Sequence, residues 1–252
     1  MVPLHFYFLS INVFVSAFSQ SDFIGKLIFL GLFALSMICW IVLIYKVWET
    51  RSVRSLSLHF QKACEEQKDK LLQLNLSELP KNKLREALHP FAHIFSSFKE
   101  KTLEILNKNR FFLLKHSPDD QIYLTEADLN IVEALVLTTI SSQTKKLERH
   151  LFILSTVVTL APFLGLLGTV WGILITFGEL HSGGSISSNS LILGGLSTAL
   201  ATTVLGLVIA IPALIAYNYL KNTIKHLSSD MEDFLYRLLS VLELQYRKVD
   251  SK

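Results

Sequence analysis

From His181 to Leu220 the chain runs for 40 residues without an Asp, Glu, Lys or Arg, and Leu27–Tyr45 (19 residues) and Leu151–Gly178 (28 residues) are equally free of them. About 20 consecutive apolar residues, rising 1.5 Å each in an α-helix, cross the ~30 Å hydrocarbon layer of a bilayer. Each stretch therefore reads as a membrane-spanning helix. Composition agrees: half of the 252 residues are hydrophobic, 18% are charged, and the mean hydropathy of +0.42 is well outside the usual soluble range. No alternating strand-like pattern and no internal repeat interrupts this reading. The predicted fold class is an all-α membrane protein with three transmembrane helices, spans two and three extending as long helices into a helical cytoplasmic domain.

The placement of positive charge sets the expected orientation. Of 24 Lys and Arg, one (Lys26) stands at the start of span one, 17 fall between Lys46 and Arg149, and six follow from Lys221 onward. Lys46, Arg51 and Arg54 beside the first span, and Lys145, Lys146 and Arg149 before the second, carry the positive-inside argument. The expected division is an outer interfacial segment at 1–22, span one at 23–46, a cytoplasmic helical domain at 47–150, span two at 151–179, a periplasmic loop at 180–190, span three at 191–219 and a cytoplasmic C-terminal helix at 220–252. The N-terminus then lies outside and the C-terminus inside. Acidic neighbours accompany the basic residues, so they read as topology determinants rather than a nucleic-acid surface.

Residues 1–21 are apolar and aromatic, but no Lys or Arg precedes Lys26, so the basic n-region of a signal peptide is missing. A short helix lying at the outer interface is the preferred reading, with cleavage the alternative. Cys39 and Cys64 offer no disulfide framework. Helical patterns are expected over 52–74 and 83–112, and Ser117-Pro-Asp-Asp120 reads as a linker. Thr125-Glu-Ala-Asp128 resembles a helix N-cap, after which no breaker except Pro162 appears before Leu180. A single helix over that range would measure ~80 Å.

No enzyme-like constellation is present. His89 and His93 have the i, i+4 spacing of a metal pair but lack a third ligand, and the glycines lie in apolar runs with no phosphate-binding lysine after them. No cofactor, metal or catalytic residue is expected. The informative residues are small and hydroxylated. Ser155, Thr159, Pro162, Gly165, Thr169, Gly172 and Thr176 recur at three- and four-residue steps in span two. Span three carries two adjacent rows: Gly194, Thr198, Thr202, Gly206 and Ala210, beside Gly195, Ala199 and Thr203. Gly168 and Gly172 form a small-xxx-small pair.

Two readings stand. Small faces let helices pack closely in lipid, with the threonines bonded to their own backbone. Alternatively, the hydroxyls line a path: counted from Glu179 and Ser190, Thr169 and Thr203 both fall ~15–20 Å below the outer helix ends, with Thr202 level and Thr198 a turn outward. Between Leu151 and Leu220 the only strongly ionisable residues are Glu179 and His181, at the outer boundary. Membrane proton relays usually run on Asp, Glu or His, so proton translocation here would require a carboxylate from another chain.

The run A-P-F-L-G-L-L-G-T-V-W-G-I from Ala161 to Ile173, with L-E-R-H at 147–150, resembles the second span of the TolQ/ExbB proteins. G-L-S-T-A-L-A-T-T-V-L-G-L-V-I-A-I-P-A-L-I-A-Y-N from Gly195 to Asn218 is similar to their third. The resemblance implies a subunit of a proton-motive-force-driven motor in a bacterial inner membrane. It implies a homo-oligomer, typically a pentamer, around a single-span TolR/ExbD-like partner whose membrane aspartate carries the proton. A TonB- or TolA-like protein would carry the motion across the periplasm. Thr169 and Thr203 would face the partner, with Thr202 and Thr198 near the path. Gly165, Gly168, Gly172, Gly195 and Gly206 would permit close packing, and Pro162 and Pro212 would bend the helices. The family commonly has Glu where Thr198 stands, which removes any charge or titration from that position. A non-conducting membrane scaffold and a MotA-like flagellar stator are the alternatives; no fourth span is available for the latter.

Overall fold

The computed structural model describes residues 14–19, 21–66, 90–116, 123–181 and 189–246. Among these residues every regular element is an α-helix: α1 (residues 14–19), α2 (Phe23–Glu66), α3 (Pro90–His116), α4 (Glu126–Glu148), α5 (Leu151–His181) and α6 (Asn189–Tyr246). Three of them, α2, α5 and α6, are long and apolar enough to cross a membrane. Contacts divide the chain into two units, one of Met1–Lys46 with His150–Leu220, the other of Val47–Arg149 with Lys221–Lys252. Both α2 and α6 contribute to each.

In the first unit α5 and α6 run antiparallel and meet through their smallest residues. A β-carbon placed on Gly206 would stand 2.6 Å from the Ala161 carbonyl oxygen, and one on Gly165 would stand 2.9 Å from that of Thr202. Gly168 meets Thr202, Gly172 meets Ala199 and Gly195 meets Thr176. The glycine rows seen in the sequence thus become one contact line, as expected where lipid removes the hydrophobic drive for association. Pro162 and Pro212 both lie inside their helices.

Span one packs beside this pair. At one end Trp171 Nε1 donates to Asp22 Oδ2 at 2.9 Å; at the other the Tyr45 and His150 rings meet edge-on, 6.1 Å apart. Asp22 to Tyr45 in a helix is ~34 Å, close to a bilayer's hydrocarbon thickness. Ahead of it, Ala17 and Phe14 of α1 cluster with Phe29 of span one and with Ala201 and Leu205 of α6. Residues 1–13, and with them most of the predicted interfacial segment, lie outside the described residues.

The second unit has a different interior. Phe91, Ile94, Phe95 and Phe98 of α3, Val132, Val136 and Ile140 of α4, and Ile224, Leu227, Met231, Phe234, Leu235 and Leu238 of α6 are all buried. Phe234 meets both Phe60 and Phe91 edge-on. Antiparallel α3 and α4 are pinned by Ser97–Thr139 (3.1 Å) and by Asn109 Nδ2 donating to Asp128 Oδ2 (3.2 Å). The N-cap expected at Thr125 is a full capping box: Thr125 Oγ1 accepts the Asp128 N–H, and Asp128 Oδ2 accepts the Thr125 N–H. Burial alone would push the Asp128 carboxyl up, but the hydrogen bonds from Thr125 and Asn109 outweigh it and hold it below its ordinary value.

One sequence expectation fails here. The predicted unbroken helix from Thr125 to Leu180 is interrupted at Arg149 and His150. Arg149 N–H bonds back three residues to Lys146 O, and Ile153 N–H likewise to His150 O. The four-residue ladder tightens and restarts without any Gly or Pro, and Lys145 and Lys146 suit the negative end of α4. Residues 67–74, 83–89 and 117–120, also assigned from the sequence, lie outside the described residues.

Candidate functional site

The α5/α6 contact line organises the hydroxyls. Thr202, 2% exposed, is shared between helices: its single hydroxyl hydrogen is within reach of Ala199 O (2.6 Å) and, across the contact, of Gly165 O (3.1 Å). Thr203 Oγ1 donates to the same Gly165 carbonyl at 2.9 Å. Thr169 Oγ1 donates within its own helix to Leu166 O at 2.7 Å, and Thr198 Oγ1 to Gly194 O at 2.8 Å. The packing reading has its counterpart here: Thr169 and Thr198 bond their own backbone, and Thr202 and Thr203 tie the two helices together.

Which side of the pair each residue occupies follows from helical geometry. Thr169 follows the contact residue Gly168, and Thr203 follows Thr202, so each is turned ~100° onward round its helix from a contact position. In antiparallel helices that face each other, the same turn leads to the same flank. Trp171, one before Gly172, and Ala201 and Leu205, one before Thr202 and Gly206, are turned the other way. These three are the residues covered by Asp22, Ala17, Phe14 and Phe29. One flank of the α5/α6 pair is thus occupied by span one and α1. The opposite flank holds half-buried Thr203 and Thr169, the latter only 9% exposed, beside exposed Leu166, Ile173, Leu200 and Leu207.

The equal depth expected for Thr169 and Thr203 is corrected: Thr203 lies at the level of Gly165, one turn (~6 Å) nearer the Leu151 end of α5 than Thr169, so the hydroxyls form a short ladder. Thr169 is two residues from Trp171, whose indole meets Asp22 at the start of span one.

Asp22 is the residue that sequence reasoning missed. Ionisable groups were counted over 151–220, and the fold brings this carboxylate in from before span one. Its Oδ1 accepts the Gly25 N–H at 2.9 Å, capping α2, while Oδ2 accepts the Trp171 indole. Burial acts to raise its titration, but the bonds from Trp171 and from the Gly25 and Ile24 amides prevail and hold it below the ordinary carboxylate value. The available signal was an Asp directly before a long apolar helix, a helix-start pattern. Among the described residues no group of three or more His, Cys, Asp or Glu could hold a metal ion. His93 belongs to no such group; its partner in the sequence pair, His89, is outside the described residues.

Apolar helices long enough to span a bilayer and a glycine-lined antiparallel pair describe a multi-pass membrane protein. The MotA/TolQ/ExbB proton channel family matches residues 99–233, more than half of the chain, and the chain belongs to that family. It is 42% identical over 88 residues to the biopolymer transport protein ExbB of Aquifex aeolicus, a stretch covering 35% of this chain and 59% of that protein. It is 36% identical over 101 residues to the Tol-Pal system protein TolQ of Haemophilus influenzae, covering 40% and 44%. The chain spans about half the length of these curated relatives.

Proposed function

We propose that the chain is the multi-pass subunit of a proton-motive-force-driven motor in a bacterial inner membrane, with its N-terminus in the periplasm and its C-terminus in the cytoplasm. A single-span TolR/ExbD-like partner supplies a membrane aspartate that moves along the Thr169–Thr203 flank. Several copies of the chain, a pentamer by the family resemblance, surround that partner, and a TonB- or TolA-like protein carries the motion outward. The observation that carries this reading is the division, among the described residues, of the α5/α6 pair into a flank filled by the chain's own span one and a flank where half-buried Thr203 and buried Thr169 stand beside exposed Leu166, Leu200 and Leu207. The fixed bonds of Asp22 to Trp171 and Gly25 support it further, since they leave the proton-carrying role to a carboxyl from outside the chain. Glycines 165, 168, 172, 195 and 206 hold the two helices at the separation that sets the hydroxyl ladder, and Thr202 serves as a clamp within it.

The test is proton uptake by vesicles containing the co-purified complex under an imposed membrane potential. Thr169→Val, which keeps the side-chain shape and removes the hydroxyl, is expected to lower uptake at least tenfold while the complex still co-purifies. Undiminished uptake in that variant would remove Thr169 from the path. Absence of uptake in the wild-type complex would favour a scaffold role.

A further inference from the structure

The C-terminal end of α4 concentrates positive charge that its own helix does not neutralise. No carboxylate lies between Glu133 and Glu148, and the last turn carries Lys145 and Lys146, with Arg149 directly after it. Thr138, Ser141, Ser142, Lys145, Lys146 and Arg149 recur at three- and four-residue steps and are all exposed, so they share one face. These six residues line an open groove of about 550 Å³ with no carboxylate in its wall, a size within the range of small-ligand sites.

The polar groups of the groove are free to meet a ligand. Among the described residues none of the three cations is ion-paired, and the Ser141 and Ser142 hydroxyls make no hydrogen bond. Thr138 donates to Leu135 O at 2.6 Å and keeps its lone pairs. The acid next along α4 is exposed Glu148, and His93 of α3 feels the charge of Lys146. Helix-end electrostatics favours lysines in a last turn, and the orientation of a span favours positive charge beside it. Neither effect calls for two unbonded serines on the same face.

The position of the groove follows from the chain. α5, long and apolar enough to cross a membrane, begins at Leu151. At ~1.5 Å per residue Arg149 lies ~3 Å and Lys145 ~9 Å from that start, whichever way α4 points. The headgroup layer is ~5–8 Å deep, and Lys and Arg extend their charged ends along it on flexible stems. All three cations therefore reach lipid phosphates.

We infer that this groove seats the headgroup of an anionic phospholipid, its phosphate held by Arg149, Lys145 and Lys146 and its own hydroxyls met by Ser142 and Ser141. Arg binds phosphate through two parallel N–H donors and Lys as a point charge. A zwitterionic headgroup offers the same phosphate but adds an ammonium, which three unpaired cations repel, so the groove selects for net negative charge. Its occupant is a lipid rather than a soluble phosphate because its cations lie within the headgroup layer, where anionic lipids concentrate. The inference requires only that the chain spans a membrane, and it stands or falls separately from the motor reading.

The test is native mass spectrometry of the full chain in detergent, titrated with dioleoylphosphatidylglycerol or dioleoylphosphatidylcholine. A photoreactive phosphatidylglycerol locates the attachment. Retention of phosphatidylglycerol is expected to exceed that of phosphatidylcholine by about fivefold or more, with crosslinks on α4. Lys145→Gln, Lys146→Gln and Arg149→Gln together should lower it to the phosphatidylcholine level. Removing as many charges from α3, by Lys101→Gln, Lys108→Gln and Arg110→Gln, should leave it unchanged. Ser141→Ala with Ser142→Ala keeps every charge that orients the spans, and is expected to lower retention by about two- to fivefold. Equal retention of the two lipids overturns the inference. So does an equal loss in the α3 variant or none in the serine variant, since either reduces the effect to diffuse attraction. Displacement of the crosslink by excess inorganic phosphate would assign the groove to a soluble anion. Lysine-to-lysine crosslinks joining Lys145 of two copies, with no lipid retained, would assign it to an interface between copies; both results overturn the inference.

Discussion

The two halves of α6 pack by opposite rules. Its N-terminal half meets α5 through Gly195, Ala199, Thr202 and Gly206, while its C-terminal half buries Ile224, Leu227, Met231, Phe234, Leu235 and Leu238 against α3 and α4. One helix therefore uses small residues and hydroxyl-to-carbonyl bonds where lipid is the solvent, and large apolar side chains where water is. In water, burial of apolar surface rewards bulk, at ~25 cal/mol per Å². In lipid it rewards close approach, because only contact and polar bonds distinguish a neighbouring helix from an acyl chain. The small-residue half is also the half that can leave hydroxyls at a surface, which is why the candidate site lies there.

The largest test of this contrast is on the bulky side. Phe234→Ala would empty a space between Phe60 and Phe91, with an expected loss of ~3–5 kcal/mol. Hydrogen exchange should show faster exchange across α3 and α4. The reciprocal test adds bulk to the small side. Gly206→Ala sets a methyl 2.6 Å from the Ala161 carbonyl oxygen and is expected to cost ~1–3 kcal/mol, read as a lower melting temperature in detergent. Gly31 of span one has nothing within 4 Å of the same methyl, so Gly31→Ala should leave melting within ~0.5 kcal/mol of wild type. Equal effects at the two glycines would break the contrast.

The smallest expected effect concerns His93, whose Nε2 is buried without a hydrogen-bond partner among the described residues. Burial, with a lesser contribution from Lys146, lowers its titration below the ordinary 6.5. The unfolded chain then takes up a proton that the folded one refuses. Stability contributed by neutral His93 is complete above pH 6.5 and is lost as pH falls from 6.5 through the lowered value. His93→Asn should flatten that part of the pH profile of exchange in α3; an unchanged profile would assign the dependence elsewhere.

Spans and packing faces were legible because lipid imposes long charge-free runs and small residues at contacts, both of which are local patterns. The Thr125 cap was legible for the same reason: it is a four-residue chemistry. What escaped was set by pairing between distant segments. The break at Arg149–His150 arises from a change of hydrogen-bond spacing with no breaker residue to announce it. The register of α5 on α6, which puts Thr203 one turn nearer the Leu151 end of α5 than Thr169, depends on which glycine meets which carbonyl. Asp22 reached Trp171 only through the packing of span one. The division of the helix pair into a filled and a free flank is likewise a property of three helices together, although each of its residues was visible singly.

The central claim is that the partner meets the flank of Thr169 and Thr203. It is tested most directly by placing a photo-crosslinking amino acid at Leu166 or Leu207, both exposed beside the hydroxyls, and at Phe33, exposed on span one. In intact membranes, capture of a single-span carboxyl-bearing partner from Leu166 and Leu207 but not from Phe33 is the predicted result. Capture from Phe33 alone would contradict it.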